Sequence, residues 1–147
     1  MKDACEEKYV FYNFAIADLD EASGCLDAIK QYKRGLTSKT MVKYAIIAYS
    51  RPFSECRGID NKKKHPLGIK VVPKNHRNLH NKLLGYRNRI IAHTDLDFRN
   101  PKLVKYGMMI KREVDYLSLV GEIQVLIREV RSALHNMIIE YGRRFIK

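Results

Sequence analysis

The sequence predicts an all-α protein, an up-and-down bundle of about four helices, and three observations carry that expectation. Apolar residues recur at three- and four-residue spacing over the first thirty residues and again over the last thirty. Between them lies a run from Met41 to Tyr49 that is nearly all apolar, and no segment shows the sustained alternation of a half-buried strand. The chain of 147 residues fits one domain, 1–147, and is long enough to bury a core without disulfides or a structural metal.

The first helix is expected from Glu6 to about Tyr32, with Tyr12, Ala15, Leu19, Ala22, Leu26 and Ile29 on its inner face. Gly24 weakens it only modestly. A second, shorter helix is expected to be capped near Ser38 and stopped by Pro52, and its apolar run predicts burial. From Arg51 to Pro73 the periodicity dissolves into a long basic loop with three prolines, two glycines and the triplet Lys62, Lys63 and Lys64. Asn75 is placed to cap a third helix, which runs to about His93 with Leu79, Leu83, Tyr86 and Ile90 inward. Pro101 marks another loop, and Leu103 to Ile110 suits a short extended segment. The last helix is expected from about Asp115 to Phe145, on the seam Val120, Ile123, Ile127, Val130, Leu134, Met137 and Tyr141. There is no internal repeat and no low-complexity tract.

Lys and Arg number 28 against 16 Asp and Glu, a net charge of +12, which attracts polyanions. No stretch approaches the roughly 20 apolar residues of a membrane span, and MKDACEEKYV lacks the basic-then-apolar order of a signal peptide, so a soluble, cytoplasmic protein is expected. Cys5, Cys25 and Cys56 form no CxxC pair; on one helix Cys5 and Cys25 would stand roughly 30 Å apart at about 1.5 Å per residue. They are expected to be reduced thiols.

The third helix carries more polar side chains than packing requires. At about 100° per residue Arg87 shares a stripe with His76 and His80, whereas His93 lies about 120° from Arg87 and close to Arg89. A single straight helix does not bring Arg87 and His93 together. Either the helix ends at His93, or two copies of it assemble the site.

The stretch YRNRIIAHTD, Tyr86 to Asp95, resembles the Rx4-6H signature of HEPN domains, with Arg87, Asn88 and His93 in the motif positions and five residues between Arg87 and His93. The form YRN followed by IAHTD looks like the HEPN proteins of abortive infection and toxin–antitoxin systems. About ten residues carry the resemblance directly. It implies a HEPN-like helical domain and a metal-independent endoribonuclease that needs no cofactor. Its site would be a composite cleft in a homodimer, RNA its substrate and an antitoxin protein a possible further partner. On that reading His93 is the acid/base toward the RNA 2′-hydroxyl or leaving oxygen, Arg87 clamps the phosphate and Asn88 orients it, leaving a cyclic phosphate. Some HEPN toxins continue as HxY, the tyrosine being modified by the antitoxin; here Asp95 stands two after His93, so that regulation is not expected. Asp95 suits either a hydrogen bond that fixes the His93 tautomer or a cap on the turn, the commoner role.

Each residue also has an ordinary reading. Arg87 suits a surface position on a basic protein, and His93 a helix end where it meets the carbonyl pole of the dipole. His76 and His80 have the i,i+4 spacing of zinc ligands but lack HExxH or a third ligand, which leaves solvated or RNA-facing roles. Together with Arg89 and Lys62, Lys63 and Lys64, they are the candidate substrate-binding residues. Arg143, Arg144 and Lys147 are solvated charges or phosphate contacts, and Tyr32, Tyr44, Tyr49 and Tyr106 serve equally as base-stacking platforms or core. No Ser-His-Asp or Cys-His motif and no glycine-rich phosphate loop is present. The alternative functions are a non-catalytic HEPN module that binds nucleic acid or nucleotides or scaffolds a complex, and a basic helical DNA-binding protein.

Overall fold

The structure, a computed structural model, describes residues 4–32, 35–55, 65–92, 96–104, 109–110 and 113–143. Five α-helices occur among them: α1 (Ala4–Ala28), α2 (Leu36–Ser50), α3 (Arg77–Tyr86), the single turn α4 (Leu96–Arg99) and α5 (Val120–Gly142). The four longer ones form the bundle.

Cross-helix contacts fix the directions. Tyr44 and Arg51 of α2 and its end meet Glu21 and Asp18 of α1. Asp20 and Asp27 of α1 meet Arg131 and Gln124 of α5 at 2.7 and 2.9 Å. Tyr49 of α2 meets His80 of α3, and His76 at the start of α3 meets Glu129 of α5. Between α1 and α2 and between α1 and α5 the residue numbers run in opposite senses. Lys39 lies by Ile90 while Tyr49 meets His80, and Tyr86 meets Tyr116 while His76 meets Glu129, so successive long helices are antiparallel, the up-and-down order expected.

The apolar stripes explain the packing. Tyr12, Ala15, Leu19, Ala22 and Leu26 of α1 are buried, as are Ile123, Ile127, Val130 and Leu134 of α5, with Met137 and Tyr141 packed against the core. The expected first helix therefore holds, its last turn tightened to a 3-10 turn at Ile29–Gln31. The apolar run of α2 contributes Val42, Ala45, Ile46, Ala48 and Tyr49, while Lys43 and Tyr44 face solvent. Pro52 sits in a 3-10 turn, Arg51–Phe53, that ends the helix, as its missing N–H dictates.

Two expected caps are corrected. Ser38 lies buried inside the first turn of α2 and Gly35 precedes the helix without a side-chain cap. Asn75 lies within a 3-10 turn, Lys74–His76, and α3 starts only at Arg77. Before α3 the 3-10 turn, closed by the His76 N–H donating to the Pro73 carbonyl at 3.0 Å, leads into the helix; before α2 the flanking residue is Gly35, which has no side chain to offer.

Of the long loop, residues 65–73 pack on the bundle, with Leu67 N–H donating to the Pro52 carbonyl at 2.8 Å and Leu67, Val71 and Val72 buried. Lys62, Lys63 and Lys64 lie outside the described residues. The expected extended segment is a minimal antiparallel pairing, Lys102–Leu103 (β1) with Met109–Ile110 (β2). Among the described residues no helix is long and apolar enough to cross a membrane.

Candidate functional site

The helix bearing Arg87 does not continue as a plain α-helix. After Tyr86 it widens into a π turn, Arg87–Ile91, closed by the Ala92 N–H donating to the Arg87 carbonyl at 3.0 Å. A π turn holds more residues per turn than an α turn, so neighbouring side chains diverge less, and Ile90 and Ile91 both pack against the core. Such turns recur at functional sites. The angular separation of Arg87 from His93 assumed unbroken α geometry, and that premise fails at Arg87 itself. His93 and Asp95 lie outside the described residues.

Aromatic rings brace this turn. Tyr86, buried, meets Phe98 of α4 and Tyr116 edge to face, at centroid distances of 6.0 and 5.8 Å. Arg89 stacks over Phe98 at 5.2 Å and pairs with Asp97 at 2.9 Å. It is therefore engaged locally. Arg87 differs: its Nη1 donates to Asn88 Oδ1 at 2.7 Å, and among the described residues it meets no carboxylate. The bond engages the Asn88 oxygen and leaves its N–H2 donors, like the other guanidinium donors of Arg87, open to a further acceptor. Two neighbouring donor groups with no anion between them can hold a phosphate oxygen pair.

The two histidines of the stripe serve the bundle. His80 is buried, 3% exposed, with Nδ1 2.8 Å from Tyr49 Oη and its ring 4.5 Å from that of Phe53. The expectation of a solvated or RNA-facing His80 is corrected, because the α2–α3 interface encloses it. Burial pushes its pKa down, so the ring is neutral and Nδ1 accepts from the Tyr49 hydroxyl, whose own pKa burial pushes up. Tyr49 is thereby core and no stacking platform. His76 is half-buried, with Nε2 3.4 Å from Glu129 of α5. It lies at the far end of α3 from Arg87, eleven residues or about 16 Å at 1.5 Å per residue, so the two do not share a site.

Other candidates are engaged or lie outside. Tyr44 donates to Glu21 within a cluster that includes Arg51, and Tyr106, Arg144, Lys147 and Cys56 fall outside the described residues. Cys25 is a free thiol whose pKa burial, with the Glu21 charge, pushes up, making it a poor nucleophile. No group of three metal-ligating side chains occurs among the described residues.

Sequence reasoning missed a cleft beside the π turn. Ile90, Lys39 and Lys43 of α2, Arg99 of α4, and Glu113 and Tyr116 enclose about 130 Å3. Asn100, in the left-handed region at φ 41°, ends α4 there, a conformation Asn adopts more readily than most residues. Arg99 reaches back to donate through Nη2 to the Ile90 carbonyl at 3.3 Å, one of the carbonyls left without a helical partner at the turn. The only hint in the sequence is the i,i+4 spacing of Lys39 and Lys43; Arg99 and Tyr116 join them through tertiary packing alone.

No family model, curated protein or solved structure matches the chain.

Proposed function

We propose that this protein is a HEPN-type, metal-independent endoribonuclease that works as a homodimer, with RNA as substrate. The observation that carries the reading is Arg87. It is an arginine with no carboxylate partner among the described residues, bonded to Asn88 on a π turn, in a chain of net charge +12. Arg51, Arg89 and Arg131 are held by carboxylates, and Arg77 and Arg99 by backbone carbonyls. An unneutralised guanidinium braced by its neighbour is what a phosphate clamp requires.

In the proposed reaction Arg87 and Asn88 hold the scissile phosphodiester and stabilise the charge that builds on its oxygens. His93 takes the 2′-hydroxyl proton, the 2′-oxygen attacks phosphorus as the P–O5′ bond breaks, and a second His93 protonates the departing 5′-oxygen, leaving a 2′,3′-cyclic phosphate and a 5′-hydroxyl. The dimer supplies two copies of the motif to one cleft. A defence or growth-control setting, with an antitoxin as the neutralising partner, follows from the resemblance of YRNRIIAHTD alone.

The test is cleavage of single-stranded RNA by wild type, Arg87→Ala and His93→Ala, each shown to be folded. Each substitution is expected to lower the rate by roughly 100-fold or more, the scale of a lost acid/base or charge-stabilising group. A wild type that binds RNA and leaves it intact would instead make this a non-catalytic binding module. A protein that is monomeric at working concentration yet fully active would overturn the composite site.

A further inference from the structure

We propose that the cleft between α2, the π turn, α4 and the segment entering α5 is a phosphate-binding site, built separately from the Arg87 and Asn88 pair. Two of the lining residues carry a buried donor with no acceptor among the described residues. Tyr116 is 6% exposed and its hydroxyl has no hydrogen-bond partner among the described residues; the same is true of Arg99 Nε. A buried donor without an acceptor is costly, and two of them lining one cleft call for a shared acceptor there.

The charge of the cleft says what that acceptor is. Lys39 and Lys43 stand one turn apart on the exposed side of α2, and neither meets a carboxylate within ion-pair distance among the described residues. Lys43 Nζ lies 5.5 Å from the centre of the Tyr116 ring, at the same wall. With Arg99 the cleft carries three cations against one carboxylate, Glu113, an excess of two positive charges. Burial pushes the Tyr116 pKa up, so its hydroxyl keeps its proton and donates. The space, about 130 Å3, has room for a phosphate group. Glu113, in the same wall, can accept from a hydroxyl or amino group of the ligand.

Arg99 also joins the cleft to the π turn through its bond to the Ile90 carbonyl, so an occupied cleft steadies the turn that carries Arg87. The phosphate has two possible sources, the backbone of a bound RNA or a free phosphate monoester. Its occupation does not depend on cleavage.

The experiment uses full-length His93→Ala protein, so that RNA is not consumed, with Lys39→Gln/Lys43→Gln and Tyr116→Phe made in that background. Binding of inorganic phosphate, a 5′-mononucleotide and a single-stranded RNA with hydroxyl ends is measured by titration calorimetry and by thermal shift. At least one of the three is expected to bind and raise Tm. The double lysine variant and Tyr116→Phe are each expected to weaken it about tenfold or more, a loss of ~1.4 kcal/mol or more. Tight mononucleotide binding with indifferent RNA assigns a free monoester; the reverse assigns a backbone phosphate. Tyr116→Phe removes only a hydroxyl and is expected to fold, so unchanged binding in that variant, or no binding of any probe, overturns the proposal. Loss of binding in these variants, with Arg87→Ala binding as before, separates this site from the proposed nuclease site.

Discussion

Tyr49 and His80 make the sharpest test of how the bundle is held together. Both are buried, and the hydroxyl of one lies 2.8 Å from Nδ1 of the other. Tyr49→Phe keeps the ring, which packs 5.3 Å from that of Phe53, and removes only the donor. It leaves His80 Nδ1 buried with no acceptor role to fill, at about 1–3 kcal/mol. His80→Leu leaves the Tyr49 hydroxyl stranded in the same way, at a similar cost. Removing both polar groups strands neither, so the double variant is expected to lose no more than the worse single one. The coupling, measured by urea unfolding of the four proteins at pH 7.5, should reach roughly 0.5–3 kcal/mol. Additivity within about 0.3–0.5 kcal/mol would refute the claim that the two groups satisfy each other.

The same pair predicts a pH dependence. The folded state lowers the His80 pKa below its unfolded value of about 6.5, so below that pH the unfolded chain binds the extra proton. The contribution is full above about pH 6.5 and is lost as pH falls toward the folded pKa; a Tm that declines below pH 6.5 in wild type and declines less in His80→Leu is the expected result. In α1, Gly24 is exposed and a Cβ there would meet nothing within 4 Å, so Gly24→Ala is expected to add roughly 0.5–1 kcal/mol, seen as a higher urea midpoint. In α5, Leu126 is fully buried, and Leu126→Ala is expected to cost about 2–5 kcal/mol by the same assay.

The fold was legible where a helix meets the core along one stripe. Tyr12 to Leu26 and Ile123 to Leu134 are buried at the spacing that announces them, because nothing but the three-and-four rhythm decides which side of a long helix faces inward. Caps and turns were less legible. Ser38 and Asn75 have capping side chains, but Ser38 falls inside α2 behind Gly35 and Asn75 falls in the 3-10 turn that precedes α3. The π turn at Arg87 is invisible to a 100° periodicity, since one extra residue in a turn shifts every later side chain.

Of the candidate site, the contact between Arg87 and Asn88 is local: the two are neighbours in sequence and bond to each other directly. His80 has polar neighbours on its own helix, and its burial comes from Tyr49 and Phe53, about thirty residues away in the chain. The cleft beside the π turn is wholly long-range: Lys39 and Tyr116 meet only after the bundle has formed. Tertiary packing, not local pattern, decides whether a histidine is core or surface and whether separated cations converge.

The central claim is that Arg87, Asn88 and His93 cleave RNA without a metal. Its most direct test is incubation of wild-type protein with single-stranded RNA in excess EDTA, with analysis of the product ends. Cleavage that persists and leaves 2′,3′-cyclic phosphate with 5′-hydroxyl ends is the predicted result. Products bearing 5′-phosphate, or cleavage that stops when EDTA is added, would contradict it.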